Sequence, residues 1–448
     1  MSTSLSFSSR ERHSLPRTPR VGTVSMFDYD TRPATPGVVL IDTGASPAAY
    51  RIRDFLSRNS RQYEWVDVTD ADKLLAVLGS SEIDAHSLPI CVLPDGTQLP
   101  SATVEQIAAG LGMISGPSRS EYDLTIVGAG PAGLAAAVYA ASEGLRTLVL
   151  EAVAPGGQAG TTSMIENYLG FPNGISGSEL ATRAVAQARR FGAEILLARS
   201  LVGISAEGTG YIAELSDGAG VLGRTLLLAG GVEWRRLNVP GLDELLGAGV
   251  YYGAGPSEAL GCAGSHVVVV GGGNSAGQAV VRFARYAVKV TLLVRGRDLA
   301  ASMSKYLIDA IADIPNVEVR TGTAIVDLEA NNRLQEVRVR SSENQPAESL
   351  RADSLFICIG GEPRTEVVKG TGLVIDDAGY LPTGSELSSF SRSQELGRSA
   401  LPLETSLPGL FAAGDVRRGS IKRCAAAVGE GSMSVALVHQ RLAEVGGE

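Results

Sequence analysis

Cysteine is scarce in this chain, and no two cysteines lie close together in the sequence. Among 448 residues there are four, Cys91, Cys262, Cys358 and Cys424, and none forms a Cys-x-x-Cys motif. A local redox pair needs two neighbouring thiols, one of them able to ionise. The sequence therefore predicts no local dithiol centre. Cys91 and Cys358 lie inside apolar runs and are interpreted as packed core thiols.

Histidine and excess positive charge are also lacking. The four histidines are scattered, so no metal site is predicted. A net charge of −9 and a pI of about 5.2 provide no basic footprint for nucleic acid or an anionic membrane surface. Residues 1–36 are rich in Ser and Arg without an apolar segment, which argues against a secretory signal and predicts a disordered tail. A cytoplasmic protein with no nucleic-acid or membrane partner is expected.

Two glycine-rich loops are the main positive signal. Gly128 to Gly133 and Gly271 to Ala276 each follow a short apolar run and open a helical stretch. Glycines at such a turn let the backbone approach a pyrophosphate at the helix N-terminus. Glu151 follows the first loop by about twenty residues, where a carboxylate accepts from ribose hydroxyls. Two separate dinucleotide sites are predicted.

The segment 37–115 precedes these loops and has a different pattern. Its predicted order of elements is βαβαββα, which resembles the thioredoxin/glutaredoxin fold, and Leu88-Pro89 resembles that family's cis-proline position. The redox cysteines of that family belong at the first strand-to-helix turn, which here is Gly44-Ala45-Ser46-Pro47. Without a thiolate this domain has no nucleophile, so a docking or scaffold role is expected for it.

Five motifs, in order along the chain, resemble the low-molecular-weight thioredoxin reductase family. They are Gly156-Gly157-Gln158, Ile165 to Phe171, Asn238-Val239-Pro240-Gly241, Gly271 to Ala276, and Gly409 to Val416. The resemblance covers about Tyr122 to the C-terminus. It implies an α/β fold with two Rossmann-like dinucleotide-binding domains, here preceded by the thioredoxin/glutaredoxin-like domain. The expected FAD-binding domain comprises residues 121–233 and 352–448, with an NAD(P)H-binding domain at 234–351 between its two parts.

The same resemblance implies which residues hold each cofactor. Asp415 would accept from the flavin ribityl chain, and the backbone of Arg423 to Ala425 would face the pyrimidine edge of the flavin. The expected FAD set is Gly128, Gly130, Pro131, Ala132, Gly133, Glu151, Gly157, Gln158, Asn167, Gly414, Asp415, Arg423, Cys424 and Ala425. The expected nicotinamide set is Gly271, Gly273, Asn274, Ser275, Ala276, Arg295 and Arg297. Arg295 closes the next strand, where a guanidinium can pair with a 2′-phosphate and favours NADPH, with NADH as the alternative.

One departure from the family bears on the reaction. Gly253-Ala254-Gly255-Pro256 stand where the family carries its redox Cys-x-x-Cys. These residues form neither a thiolate nor a mixed disulfide, so reduction of thioredoxin by the family mechanism is not expected. No catalytic residue is assigned. The candidates expected near the flavin are Gly253, Pro256, Glu258, Glu166 and Tyr168, of which the polar ones are possible acids or bases.

The sequence thus predicts an FAD-dependent oxidoreductase that transfers hydride between NAD(P)H and flavin. Its acceptor would be a small organic molecule, dioxygen or a protein electron carrier rather than a dithiol. One alternative is a flavin oxidase or dehydrogenase of a small molecule, with dioxygen as acceptor. Another is a flavin-bound, redox-responsive binding module. The resemblance also implies a homodimer.

Overall fold

The computed structural model describes residues 37–43, 46–59, 61–114, 116–162, 164–253, 261–342, 345–390 and 398–446. The predicted tail, residues 1–36, lies outside the described residues. So do Gly44 and Ala45 of the first turn, and Ala254, Gly255, Pro256 and Glu258.

The N-terminal part forms a small mixed sheet with three helices. Its strands pair in the order β2-β1-β3-β4, with β1 parallel to β2 and antiparallel to β3. This is the βαβαββα order predicted, and the Leu88–Pro89 peptide is cis. The elements are β1 (Val38–Asp42), α1 (Pro47–Arg58), β2 (Tyr63–Asp67), α2 (Ala71–Leu78), β3 (Ile90–Val92), β4 (Gln98–Leu99) and α3 (Val104–Gly110).

The next sheet carries the first glycine loop. Its strands run in the order β7-β6-β5-β10-β9-β8, and β21 pairs with β10. Its central strands are parallel and largely buried, which explains apolar runs such as Leu148 to Leu150 and Leu226 to Leu228. The strands are β5 (Glu121–Val127), β6 (Thr147–Glu151), β7 (Glu194–Leu197), β8 (Leu201–Glu207), β9 (Gly210–Leu215), β10 (Gly220–Leu228) and β21 (Leu410–Ala412). The helices are α4 (Pro131–Ser142), α5 (Gly157–Gly160), α6 (Gly177–Arg190) and α9 (Cys424–Gly446).

Helices α4 and α9 cross at very short distance. A Cβ on Gly431 of α9 would lie 2.0 Å from the carbonyl oxygen of Ala132 in α4, so only glycine permits this approach. The contact fixes the end of the chain against the helix that follows the first glycine loop. Within the described residues, no helix combines the length and apolar character needed to cross a bilayer.

A second parallel sheet carries the second glycine loop. Its strands run in the order β12-β19-β13-β14-β15, and a three-stranded antiparallel sheet, β16-β17-β18, follows β15 in the chain. The bounds are β12 (Val250–Tyr252), β13 (His266–Val270), β14 (Lys289–Leu293), β15 (Val317–Arg320), β16 (Ala324–Asn331), β17 (Arg333–Arg340), β18 (Glu348–Arg351) and β19 (Ser354–Ile357). The helices are α7 (Asn274–Phe283) and α8 (Lys305–Ala312).

The expectation that the second part of the FAD-binding domain begins at residue 352 is wrong for the strand that follows this boundary. Strand β19 pairs with both β12 and β13 and so belongs to the second sheet. Both sheets have buried parallel strands, and a short apolar run satisfies either of them equally well. The chain returns to the sheet that carries the first glycine loop only after this strand.

Two antiparallel strands connect the two nucleotide-binding halves of the protein, one built on the sheet with the first glycine loop and one on the sheet with the second. Strand β11 (Val232–Trp234) leaves the sheet with the first loop, and β20 (Gly361–Pro363) comes back from the sheet with the second. The halves are therefore joined by two chain crossings placed side by side.

Candidate active site

The first glycine loop has the geometry of a pyrophosphate cradle. Gly128 has φ +102°, and a Cβ there would lie 2.6 Å from the carbonyl oxygen of Ala229. A Cβ on Gly133 would lie 1.9 Å from the carbonyl oxygen of Gly128, so the helix packs directly on the turn. Gly130 is the N-cap of α4 and offers no side chain to the amides of the first turn. Those amides are suited to an anion.

Glu151 holds this loop from inside the sheet. Its Oε2 accepts a hydrogen bond from the amide of Ala129 at 2.8 Å. Its Oε1 accepts from the amides of Val153 and Ala154 at 2.9 and 3.1 Å. Three backbone donors thus occupy most of the lone-pair positions of the carboxylate. Glu151 is a structural anchor of the loop, and its contact with a ribose remains a prediction.

The Gly156-Gly157 turn lies over the same loop. A Cβ on Gly157 would come within 3.2 Å of the Cα of Gly130, and Gly157 has φ +55°. The neighbouring Gln158 donates from Nε2 to the carbonyl oxygen of Val232 at 2.9 Å. Gln158 therefore ties this turn to connecting strand β11.

The predicted flavin residue Asp415 lies in a short 3₁₀ turn, Gly414–Val416, held by α9. The amide of Gly414 donates to Oε2 of Glu430 at 2.7 Å, and Nη2 of Arg417 donates to Oε1 at 2.7 Å. Sequence reasoning missed Glu430 and Arg417. An acidic residue in mid-helix gives no local signal of a partner sixteen positions earlier.

Burial controls the ionisation of the groups beside this turn. The pKa of Asp415 is raised by burial, an effect that nearby Lys422 opposes and Glu430 reinforces. Burial and the charge of Asp415 together raise the pKa of the Cys424 thiol to about 11. Burial, with a smaller effect from Cys424, raises the pKa of Tyr168. The structure thus brings Tyr168, Asp415 and Cys424 together from segments far apart in the sequence.

The remaining residues predicted to face the flavin lie at the surface of the same region. Glu166 and Asn167 are exposed and lie in the segment that also carries Tyr168. Arg423 and Ala425 are exposed at the start of α9, and Nη1 of Arg423 donates to the carbonyl oxygen of Lys422 at 3.0 Å. Exposed groups at this point are accessible to a ligand.

The second glycine loop has the same construction. Gly271 has φ +144°, and a Cβ there would lie 2.2 Å from the carbonyl oxygen of Cys358. Gly273 is the N-cap of α7 and makes no side-chain cap. A covering segment that sequence reasoning missed closes one side of the loop. The Ser302 hydroxyl donates to the carbonyl oxygen of Gly272 at 2.8 Å, and Asn274 exchanges two hydrogen bonds with Ser304.

Arg295, the residue predicted to favour NADPH, lies beside this loop together with Arg297, which is expected either to assist it or to be a solvated loop charge. Arg295 and Arg297 are exposed in the segment that follows β14. Gly296 between them contributes its carbonyl oxygen to the amide of Gly322, which fixes the backbone of the segment. Both guanidinium groups are accessible to a 2′-phosphate.

Gly253 is the one described residue of the segment that replaces the family's Cys-x-x-Cys. It has φ +77°, and a Cβ there would lie 2.9 Å from Cζ2 of Trp234. The indole of Trp234, on connecting strand β11, occupies the space that a side chain at position 253 would need. Ala254, Gly255, Pro256 and Glu258 lie outside the described residues.

None of the four cysteines forms a disulfide within the described residues. Cys91, Cys262 and Cys358 are buried, and burial raises the pKa of both Cys91 and Cys358 to about 12. Cys262 precedes strand β13, whereas Cys358 follows the end of parallel neighbour β19. They lie toward opposite ends of one sheet, too far apart for a disulfide.

The described residues fit a flavin dinucleotide and a nicotinamide dinucleotide. Each glycine loop has backbone that a Cβ would obstruct, and each opens a helix of ten or more residues without a side-chain cap. Asp415 adds a partly buried carboxylate beside the first site. These are features that bind pyrophosphate and polyol groups.

Comparison with known proteins agrees with this geometry. Residues 122–431 match the family described as "Pyridine nucleotide-disulphide oxidoreductase". A thioredoxin reductase of Bacillus subtilis is 32% identical over 326 residues, which cover 72% of this chain and 96% of the relative. The "34.2 kDa protein in rubredoxin operon" of Clostridium pasteurianum is 33% identical over 322 residues, covering 72% and 97%.

Solved structures give the same result for the fold. The thioredoxin reductase of T. acidophilum superposes with a TM-score of 0.64 at 27% identity, covering 72% of this chain and 99% of that protein. The Lactococcus lactis thioredoxin reductase also has a TM-score of 0.64, at 26% identity, with coverage of 72% and 99%. The fold with two Rossmann-like domains, which the family resemblance implies, is confirmed. The N-terminal sheet precedes the region that the family match covers.

Proposed function

Because the chain belongs to the pyridine nucleotide-disulphide oxidoreductase family, we propose that it oxidises NAD(P)H and passes the electrons to an acceptor that is not a dithiol. Family membership makes it a flavin-dependent NAD(P)H oxidoreductase. The nature of the acceptor is the new part of the proposal. The acceptor would be a small organic molecule, dioxygen or a protein electron carrier, and it takes up the two electrons that the nicotinamide loses.

The state of the cysteines is the observation that carries this proposal. Gly253 packs against Trp234, and no cysteine stands between Gly253 and Pro256. The buried thiols of Cys91 and Cys358 have raised pKa values, so they are protonated and poor nucleophiles at neutral pH. Cys424 lies beside the predicted flavin edge, but its pKa of about 11 keeps it a thiol too. A sulfur relay is therefore not supported.

Each set of residues has a distinct task in the proposed reaction. The amides at the start of α4 would hold the FAD pyrophosphate, while the Asp415 carboxylate would accept from the ribityl chain. The loop before α7 would hold the nicotinamide dinucleotide in the same manner. Bound FAD would supply the two-electron chemistry. The protein supplies orientation and, through the start of α9, the helix N-terminus near the flavin's pyrimidine edge.

Arg295 supports a preference for NADPH within this proposal. A guanidinium pairs with the 2′-phosphate that NADPH carries and NADH lacks. Arg295→Ala should raise the dissociation constant for NADPH about tenfold and leave that for NADH unchanged. Arg333→Ala, an exposed arginine on β17, is the control. Equal losses for both nicotinamides would count against the preference.

The main test separates the flavin from the thiols. A variant with all four cysteines replaced by serine or alanine is loaded with FAD and mixed anaerobically with NADPH or NADH in a stopped-flow instrument. Bleaching of the flavin at the wild-type rate, and its recovery on adding an acceptor without a disulfide, would support the proposal. The acceptors tested should include a small redox protein, since one relative is named for a rubredoxin operon.

Two outcomes would overturn it. If the wild-type protein reduces thioredoxin rapidly and the cysteine-free variant does not, a thiol relay operates. If neither nicotinamide bleaches the flavin but an organic substrate does, the protein is instead a flavin oxidase or dehydrogenase.

A further inference from the structure

Helix α1, which packs on the N-terminal sheet, makes contacts through two of its faces. Ala49, Ile52, Phe55 and Leu56 are buried and pack against the helix's own sheet. Tyr50, Asp54 and Arg58 recur every four residues and therefore share another face. That second face contacts both nucleotide-binding halves of the protein.

At the C-terminal end of α1, the contacts reach the flavin-binding half. Nη2 of Arg58 donates to the carbonyl oxygen of Gly157 at 3.2 Å. The next residue, Asn59, donates from Nδ2 to the carbonyl oxygen of Val153 at 3.1 Å. Asp54 lies 3.5 Å from Nη1 of Arg58 and holds the guanidinium in place.

The two carbonyl groups belong to the loop that covers the first glycine turn. Gly157 lies against Gly130, and the amide of Val153 donates to Glu151. Glu151 therefore fixes this loop from the inside, and α1 fixes it from the outside. Displacement of the loop would open the space beside the first turn of α4, where the pyrophosphate is proposed to bind.

At its N-terminal end, α1 reaches the nicotinamide-binding half. The rings of Tyr50 and Tyr251 meet edge to face, with centroids 5.7 Å apart. Tyr251 stacks on Phe356 at 5.0 Å, and Phe356 packs on Phe283 at 4.1 Å, so Tyr50 is the outer ring of a four-ring row that ends in the core of that half. A Cβ on Gly247 would lie 2.7 Å from the Cβ of Tyr50, which shows how closely the backbones approach.

The covalent connection between the halves is a pair of strands, β11 and β20. These two adjacent crossings are the positions at which a relative rotation of the halves would be accommodated. Helix α1 spans both sides of these crossings within a single rigid element. Tyr50 and Arg58 are separated by eight residues, or about 12 Å of helix.

We propose that the N-terminal domain is a positioning unit, in which Arg58 and Asn59 hold the flavin-binding loop and Tyr50 holds the nicotinamide-binding half at a fixed angle to it. This gives a sheet without redox cysteines a defined task. The part of the proposal that concerns the flavin-binding loop, called the flavin arm below, rests on the proposed function, because it assumes that FAD binds at the first glycine loop. The part that concerns the angle between the two halves, called the angle arm, depends only on the fold.

The flavin arm is tested by equilibrium binding of FAD to the apoprotein, followed by quenching of flavin fluorescence. Arg58→Ala should weaken binding about tenfold, with Arg58→Lys restoring part of the loss because an ammonium still donates to the Gly157 carbonyl. Arg51→Ala, on the exposed side of the same helix, is the matched control and should bind as the wild type does. Equal affinities for all four proteins would overturn this arm, whereas a wild type that binds no FAD would overturn the proposed function instead.

The angle arm is tested by hydrogen exchange in the full-length apoprotein. Tyr50→Ala should accelerate exchange of the amides in β11 and β20 at least about threefold, since both connecting strands gain freedom. Tyr50→Phe keeps the ring that contacts Tyr251 and should therefore exchange more slowly than Tyr50→Ala. FAD affinity should change less than twofold in either variant. Unchanged exchange in Tyr50→Ala, or equal acceleration in the strands of the N-terminal sheet, would show that Tyr50 has only a local role.

Discussion

The carboxylate of Glu430 and the amide of Gly414 are joined by a hydrogen bond of 2.7 Å between Oε2 and N. This bond links helix α9 to the turn that presents Asp415. The other oxygen of Glu430 binds Arg417, and both side chains are largely buried. The position of the predicted flavin ligand therefore depends on a residue that does not itself need to touch the flavin.

Replacing Glu430 should damage both stability and FAD binding. Glu430→Ala leaves the Gly414 amide and the Arg417 guanidinium without their partner, at a cost of about 2–4 kcal/mol in the free energy of unfolding. FAD affinity should fall by more than tenfold because the Asp415 turn is released. Denaturant unfolding and FAD titration measure the two effects. Gln440→Ala, exposed on the same helix, should change neither, and a Glu430→Ala protein with normal affinity would refute the positioning role.

Asp415 should lower the stability of the apoprotein at neutral pH and strengthen the binding of FAD. Burial raises its pKa in the folded protein, so protonating it favours folding, and this contribution is lost as the pH rises through that pKa. Asp415→Asn carries no charge and should make the apoprotein more stable than wild type at pH 7, with a smaller difference near pH 4. The same variant should bind FAD at least tenfold more weakly. Urea unfolding at the two pH values checks the sign, and a less stable variant at pH 7 would contradict it.

Protonation of Asp123 should cause most of the acid-dependent loss of stability in the sheet that carries the first glycine loop. A paired hydrogen bond from Arg146 lowers its pKa to about 2, despite the opposing effect of burial. A lowered pKa stabilises the fold above the usual value of 3.8, and this stability is lost as the pH falls toward 2. The shift corresponds to about 2 kcal/mol. Asp123→Asn should lose that amount at pH 6 and show a flatter stability profile between pH 4 and 2; an unchanged profile would exclude the pair as its source.

Two glycines of α9 should respond oppositely to alanine. At Gly431 a Cβ would lie 2.0 Å from the carbonyl oxygen of Ala132, so Gly431→Ala should destabilise the protein by about 1–3 kcal/mol. At Gly429 nothing lies within 4 Å of the added Cβ. Gly429→Ala should instead stabilise the helix by about 0.5–1 kcal/mol. Thermal unfolding of the pair is its own control, and a Gly431→Ala protein as stable as the wild type would contradict the close crossing of α4 and α9.

Local chemistry explains which parts of the fold and site the sequence predicts. The loops at Gly128 and Gly271 are recognisable because the approach of backbone to pyrophosphate requires glycine, and the turn residues lie next to each other in the chain. The βαβαββα order of the N-terminal domain follows from short-range sequence patterns and agrees with the structure.

Pairing across long sequence distances is what the sequence could not provide. Strand β19 pairs with β13 in the sheet of the second glycine loop, and its apolar run does not identify these neighbours. Glu430, Ser302 and Arg58 have polar side chains of common types, and only the fold brings each to the loop it serves. The same limit hid Trp234, whose ring fills the space beside Gly253.

The pairing of β10 sets an order of events during synthesis. Leu226 to Leu228 pair with β5 on one side and with β21 on the other, and β21 emerges from the ribosome only after the whole inserted half. Until Leu410 to Ala412 are synthesised, the segment Leu226 to Leu228, which is buried in the folded protein, exposes one unpaired backbone edge. Any other strand can pair with that edge. The flavin-binding half therefore completes its folding late. A truncated product that ends before β21 would expose an unpaired strand edge and be prone to aggregate.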